Sequence, residues 1–308
     1  MIEKPKFELE QDDASYPEIL LARECAPHTI YGVGCESALR PGIAVVGARN
    51  ATSYGLRIAR LIATWAVELG YTIYSGGARG CDQAAHKGAV EAGGKTVIVM
   101  GCGADLVYPS RAGKLFDAVC ESGGAIISEY PWQMPPMKHR FIQRNRLIAA
   151  LSDIVIVVEA RLPSGTLSTV QHALDLGVPV AAVPGSILCL ESAAPNRLIG
   201  EGAFPISCRD DLAHACSVSG SRPDVASLFA DFNRSADDAS IFEGTEQVES
   251  NAGKIYAACQ STPSLPDDLA QELNLSVVEV VEILTYFEVQ GKVMRRADGR
   301  YVSEDVLC

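Results

Sequence analysis

Residues 42–80 read GIAVVGARNATSYGLRIARLIATWAVELGYTIYSGGARG, and the changes of pattern within them decide the fold. Ile43 to Val46 is a short, wholly apolar run, and Gly47 to Gly55 is small and polar. Leu56 to Leu69 then repeats its apolar residues at helical spacing. Tyr71 to Tyr74 is apolar again and leads into a second glycine loop, Ser75-Gly76-Gly77-Ala78-Arg79-Gly80. Strand, loop, helix and strand in that order make a βαβ unit. The pattern continues outward, with a helix expected over Asp82 to Ala92 and Asp82 as its N-cap. Further strands are expected at Thr96 to Met100, Ala125 to Ser128, Ile154 to Val158 and Pro179 to Val183. Wholly apolar strands alternating with helices predict an α/β fold, a doubly wound and mostly parallel sheet covered on both faces. Ligands of such sheets bind beyond the carboxyl ends of the strands, where Gly47, Gly76, Gly101, Ser128, Glu159 and Pro184 fall. The loops lack the GxGxxG of dinucleotide binders and the lysine of a Walker A loop, so neither NAD nor ATP is indicated and no cofactor is expected.

One later segment adds charge to this edge. Residues 137–168, MKHRFIQRNRLIAALSDIVIVVEARLPSGTLS, place Lys138, His139, Arg140, Arg144 and Arg146 within nine residues. An apolar strand follows, then the turn Pro163-Ser164-Gly165-Thr166. A helix starting near Thr166 would offer free backbone amides to an anion. Arg140 and Arg144 are four apart and share a helical face, while Arg146 points elsewhere. The competing reading is a solvated face, or pairing with Glu129, Asp153 and Glu159.

The composition is that of an ordinary globular chain. The 308 residues are 48% hydrophobic, enough for one large domain and a small one. No signal-like start and no membrane-length apolar run is present, so a cytoplasmic protein without membrane contact is expected. The ten cysteines form no CxxC and no cluster at zinc spacing, so they read as reduced thiols and no metal site is expected. The net charge of −12 argues against a nucleic-acid partner until its distribution is considered. Residues 209–251 carry nine acids against three arginines, which is half of the excess. Over 137–161 the balance reverses, with five Lys and Arg against two acids.

The ends of the chain read differently. Residues 1–41 have little periodicity and are expected as an N-terminal extension packed on the main domain of residues 42–212, with a short helix near Tyr16 to Glu24. Residues 213–251 read as an acidic linker. In residues 252–308, helices are expected over Gly253 to Cys259, from Leu265, and over Ser276 to Gln290. A two-stranded wing follows at Lys292 to Arg296 and Gly299 to Val302. The third helix carries Glu279, Glu282 and Glu288 and no Lys or Arg, so protein contact or plain packing is expected of it in preference to duplex reading.

Seven motifs in order carry a family resemblance. They are Gly47-Ala48-Arg49-Asn50; Ser75 to Asp82 with Ala85-His86; Gly101-Cys102-Gly103-Ala104-Asp105 with Tyr108-Pro109; Ser128-Glu129-Tyr130-Pro131; Phe141 to Arg146; Ser164-Gly165-Thr166; and Val183-Pro184-Gly185 with Asn196. Over Gly42 to Asp211 the chain resembles the DNA-processing protein A (DprA/Smf) family. The resemblance implies an extended Rossmann-like domain that forms a homodimer, binds single-stranded DNA and helps load the RecA recombinase, notably in natural transformation. It also implies that many members carry a winged-helix tail. Carried over by position, it puts the phosphates of the single strand at Arg49 and at Lys138, His139, Arg140, Phe141, Arg144, Asn145 and Arg146. The glycine loops Gly76, Gly77 and Gly80, and Ser164, Gly165 and Thr166, lie beside them. Gly77 and Cys81 stand where the family often has apolar residues, which predicts a looser loop.

Several single residues have two readings. Trp132, Tyr130 and Phe141 flank the basic segment as bases stacking on aromatic rings would require, or else pack against the domain. His86, Glu129 and Glu159 are expected in structural roles. The rival function is enzymatic, since nucleotide phosphoribohydrolases resemble this architecture. Their catalytic glutamate falls three residues beyond the Gly-Thr, where this chain has Thr169. Without that carboxylate the protein is expected not to be an enzyme. A third reading is mononucleotide binding by the same loops without chemistry.

Overall fold

The computed structural model describes residues 4–23, 26–40, 42–218, 251, 253–259, 264–289, 293–295 and 299–303. These fall into two units, one ending at Val218 and the other beginning at Asn251. In the first unit nine strands form one sheet: β1 (Lys6–Glu10), β2 (Thr29–Gly34), β3 (Gly42–Val46), β4 (Thr72–Ser75), β5 (Thr96–Met100), β6 (Ala125–Ser128), β7 (Ile154–Val157), β8 (Val180–Ala182) and β9 (Phe204–Pro205). Their order is β1-β2-β6-β5-β4-β3-β7-β8-β9. Strands β3 to β9 pair in parallel, and β1 and β2 add an antiparallel edge beyond β6.

Strand alternation explains why the sheet is covered twice. Ala44, Val46, Tyr74, Val155 and Val157 enter one core, with α5 (Lys138–Ala150), α6 (Thr166–Asp175) and α7 (Ala193–Gly200). Ile43, Val45, Ile73, Ile154 and Ile156 enter the opposite core, with α2 (Ser53–Glu68), α3 (Cys81–Glu91) and α8 (Arg209–Val218). A third apolar cluster seats α4 (Gly113–Glu121) on Ile98, Met100 and Ile126. Both faces of every central strand are therefore apolar, the signature of a doubly wound parallel sheet. The α/β, Rossmann-like expectation holds.

Two local expectations change. The N-terminal segment, read as having little periodicity, supplies two strands and the short helix α1 (Glu18–Leu21). The signal was present in Thr29-Ile30-Tyr31, a β-branched and aromatic run. Its Gly32 lies under the Phe7 ring, which a Cβ would meet at 2.1 Å. Asp82 is not the N-cap of α3. Gly80 occupies that position at φ 93°, and the Asp82 Oδ2 accepts from the Ala78 amide (3.3 Å) inside the preceding loop.

In the second unit residues 253–259 are helical (α9), followed by α10 (Pro266–Leu273) and α11 (Val277–Val289). The antiparallel strands β10 (Val293–Arg295) and β11 (Tyr301–Ser303) then form the expected wing. Ile255, Leu269, Val280, Leu284, Phe287 and Tyr301 close a small core of their own. Asp224, Asp231, Asp237, Asp238, Glu243, Glu246 and Glu249 of the acidic stretch lie outside the described residues, as do Lys292, Arg296 and the side chain of Glu282.

Candidate functional site

Strand β3 lies between β4 and β7, where the winding of the chain reverses. The crevice beyond that point is where sheets of this kind bind ligands. Three loops lock together there. The Ala48 amide donates to the Glu159 carbonyl (2.7 Å), and the Cys81 amide donates to the Ala48 carbonyl (3.2 Å). Glu159 is 1% exposed and accepts from the Thr52 amide (2.9 Å) and from the Thr52 hydroxyl. The same hydroxyl caps α2 by accepting from the Gly55 amide (3.1 Å). Glu159 thus has the structural role expected of it, as a carboxylate at a helix N-terminus.

The glycines are dictated by this closeness. A Cβ on Gly80 would lie 2.1 Å from the Ala48 carbonyl oxygen. One on Gly47 would lie 2.6 Å from the Cys81 sulfur. Gly77 takes φ 68°, with Ile98 directly beside it. The loop predicted to be looser is close-packed, and burial pushes the Cys81 thiol up to about 12, which makes it inert.

The arginines of α5 do not converge. Arg144 is 4% exposed; its Nη1 donates to the carbonyls of Gly76 (2.9 Å) and Val99, and its Nε donates to Asn145 Oδ1 (3.2 Å). Burial lowers its pKa to about 10, partly offset by the Asp82 carboxylate, which burial itself raises. Arg144 therefore holds the Gly76 loop from behind. Arg140 donates to the Pro135 carbonyl (2.9 Å) and lies over the Tyr130 ring at 5.1 Å. Arg146 pairs with Glu129, the competing reading for that residue. Burial raises the Glu129 pKa and Arg146 lowers it. Asn145 donates to the Ser168 hydroxyl (2.7 Å) and so joins α5 to α6.

What faces water is a different set. Arg49, Lys138 and His139 are exposed and make no hydrogen bond or ion pair within the described residues. Arg79 is also exposed and donates to Asn50, the neighbour of Arg49. The start of α6 offers less than its sequence suggested. The Thr166 amide is taken by the Ser164 hydroxyl (3.2 Å), and the Leu167 and Ser168 amides by the Ser164 and Gly165 carbonyls. Gly165 itself borders open space.

Aromatic residues divide in the same way. Trp132 packs on the N-terminal strands, donating to Glu8 with Lys6 over its ring and Tyr31 against its edge, so it takes the packing reading. Phe141 sits above Gly101 and stacks at 5.0 Å, tilted 31°, with Tyr108, which is 45% exposed. Tyr108 and Arg79 are the members of this edge that the sequence reading passed over. Both belong to the family motifs, but nothing in a motif tells which side chain points out.

His86 is fully buried. The Thr96 hydroxyl donates to the Ile73 carbonyl (2.8 Å) and so accepts from His86 Nδ1 (2.6 Å). Burial lowers the imidazole to about 3, so it is a neutral structural group. Among the described residues no group of His, Cys, Asp or Glu could hold a metal ion, and no helix is long and apolar enough to cross a membrane.

The sequence profile of the DNA recombination-mediator protein A family matches residues 8–217. Protein Smf of Escherichia coli strain K12 is 40% identical over 213 residues, which cover 68% of this chain and 57% of that protein. The chain thus spans little more than half the length of that relative. The crystal structure of DNA processing protein A from Streptococcus pneumoniae superimposes with a TM-score of 0.63 at 35% identity, covering 72% of this chain and 75% of that one. DNA processing protein A from Helicobacter pylori, studied for its single-stranded DNA binding mode, gives 0.60 at 28% identity, covering 71% and 97%. The chain belongs to the DNA recombination-mediator protein A family.

Proposed function

We propose that this member of the DNA recombination-mediator protein A family is a non-enzymatic single-stranded DNA-binding protein. It shields incoming or exposed strands and, as a homodimer, helps load the RecA recombinase in natural transformation or recombination. The observation that carries this is the pair of cations Arg49 and Lys138, with His139 beside Lys138, exposed after β3 and at the start of α5 and making no hydrogen bond or ion pair within the described residues. Phosphates meet those cations, and the exposed Tyr108 beside Phe141 gives unpaired bases a ring to stack on. Of the residues inferred from sequence, Arg49, Lys138, His139, Arg140, Phe141, Ser164, Gly165 and Thr166 are assigned to the strand directly. Arg144, Asn145, Arg146, Gly76, Gly77 and Gly80 are assigned to holding its seat. On this reading residues 42–212 form the DNA-binding body, 1–41 its extension, 213–251 a linker whose first residues, 213–218, complete α8 on the body, and 252–308 a winged-helix-like module.

Thr169 supports binding without hydrolysis, because it is 2% exposed and offers a hydroxyl where the phosphoribohydrolases carry a carboxylate. The test is a titration of single strand, duplex and mononucleotide at several salt concentrations. Single strand is expected to bind best and to weaken steeply with salt. Equal affinity for duplex, or release of free base from nucleoside monophosphates, would overturn the proposal. Glu288 is exposed on α11 and Glu279 is bonded to Asn251 (2.9 Å), with no cation on that helix. Deleting residues 253–308 is therefore expected to change single-strand affinity by less than about tenfold, or 1.4 kcal/mol.

A further inference from the structure

The loop after β8 carries the two most exposed large apolar side chains of the described residues, Leu188 at 92% and Ile187 at 85%. It is a braced loop. Asn196 clasps Gly185 by both groups, its Oδ1 accepting from the amide and its Nδ2 donating to the carbonyl, each at 3.0 Å. The Leu188 amide donates to the Ser186 hydroxyl (3.2 Å) and the Cys189 amide to the Ser186 carbonyl (3.1 Å). At its far end the Glu191 carbonyl accepts from the Ala160 amide (2.7 Å), and the Glu191 carboxylate accepts from Arg161 Nε (2.9 Å). Two isolated leucine-sized side chains on a surface need no explanation, but two adjacent ones held outward by a hydrogen-bonded frame do.

Neighbouring residues extend the feature. Tyr54, 48% exposed, donates to the Pro184 carbonyl (3.2 Å), and Leu162 on the adjoining loop after β7 is 40% exposed. Tyr54 follows directly on the loop of Arg49 and Thr52, so the apolar lip continues the edge that carries the unpaired cations.

We infer that Ile187, Leu188 and Tyr54 form an apolar lip that contacts the unpaired bases of the bound single strand. This rests on the proposed function above and names the part of the ligand the lip reads. A single strand is amphipathic along its length, with phosphates for the cations and bare base faces for the lip, whereas a duplex hides those faces in its stack. A second copy of the chain is the weaker occupant. The three side chains of the lip fall far short of the roughly 20–30 residues a side of a stable protein interface.

The test compares an oligothymidine with an abasic oligonucleotide of equal length, using wild type, the double variant Ile187→Ser with Leu188→Ser, and Leu188→Trp. Wild type is expected to favour the base-bearing strand. The double variant is expected to lose about tenfold in affinity for it while binding the abasic strand as before, with an unchanged salt slope, because the phosphate contacts remain. Leu188→Trp is expected to bind oligothymidine at least as well as wild type, with added fluorescence quenching that the abasic strand does not produce. Wild-type binding with no loss in the double variant, or no quenching beyond wild type, overturns the lip alone. Wild type binding neither strand overturns the single-strand reading and the lip with it. A fall in molar mass by light scattering in the double variant assigns the lip to a copy interface and also overturns the inference.

Discussion

Two glycine loops in this molecule look alike in sequence and differ in kind. Gly76-Gly77-Ala78-Arg79-Gly80 is packed so tightly that a Cβ at Gly76 would fall 2.6 Å from the Arg144 guanidinium and one at Gly80 2.1 Å from the Ala48 carbonyl oxygen. Ser164-Gly165-Thr166 meets nothing within 4 Å at its glycine, and Gly165 sits at an ordinary φ of −64°. The first loop uses glycine because the side chains of Arg144 and Ile98 and the backbone of Ala48 come too close for a Cβ. The second uses it where almost any small residue would fit. A glycine in a crevice loop is therefore evidence of a close approach only when something approaches it.

The first loop is most vulnerable from behind. Arg144→Leu removes the donors of the Gly76 and Val99 carbonyls and strips buried Asp82 of its charge partner. The expected loss is about 3–5 kcal/mol of folding stability, measured by urea unfolding. A loss below 1 kcal/mol would mean that the loop does not depend on this arginine. A charge reversal at Arg144 therefore tests folding first and DNA binding only second.

Gly80→Ala comes next. It sets a left-handed φ of 93° against a contact with the Ala48 carbonyl oxygen, and the two penalties together are expected to cost about 3 kcal/mol. Calorimetry checks this, and an unchanged Tm would show that the three loops can separate freely.

Arg49→Glu should leave the Tm within experimental error, since the side chain is exposed and unpaired. Single-strand affinity is expected to fall by about 2 kcal/mol, a charge-assisted contact turned repulsive. Retained binding would move the site away from this edge. The smallest effect is Gly165→Ala, expected within about 0.5 kcal/mol of wild-type stability. A loss comparable to that of Gly80→Ala would erase the distinction between the loops.

Much of the site was legible because its residue types recur at the ends of apolar strands. Arg49, Gly76, Gly80 and the segment from Lys138 to Arg146 all do lie at one edge of the sheet. Their individual roles were not legible. A helical spacing of four puts Arg140 and Arg144 on one face, yet one guanidinium lies over Tyr130 and the other is buried under Gly76. Spacing fixes a direction around a helix axis and says nothing of what has been packed there. The two readings of Trp132 stayed open for the same reason, because the strands that cover it come from residues 6–10 and 29–34, more than a hundred positions away or nearly so.

The parallel sheet follows from the residue pattern, since wholly apolar strands separated by helices bury both faces in such a sheet. That pattern also determined that the loops of interest share one edge, and the ordered motifs of the sequence pointed to the family. Tertiary structure alone decided which cations reach water. Arg49 and Lys138 do, while Arg144 and Arg146 are spent on carbonyls and on Glu129. The physical reason is that a guanidinium goes wherever its donors are best satisfied. That depends on acceptors brought close by folding, such as the carbonyls of Gly76 and Val99, which lie 68 and 45 residues away in the chain.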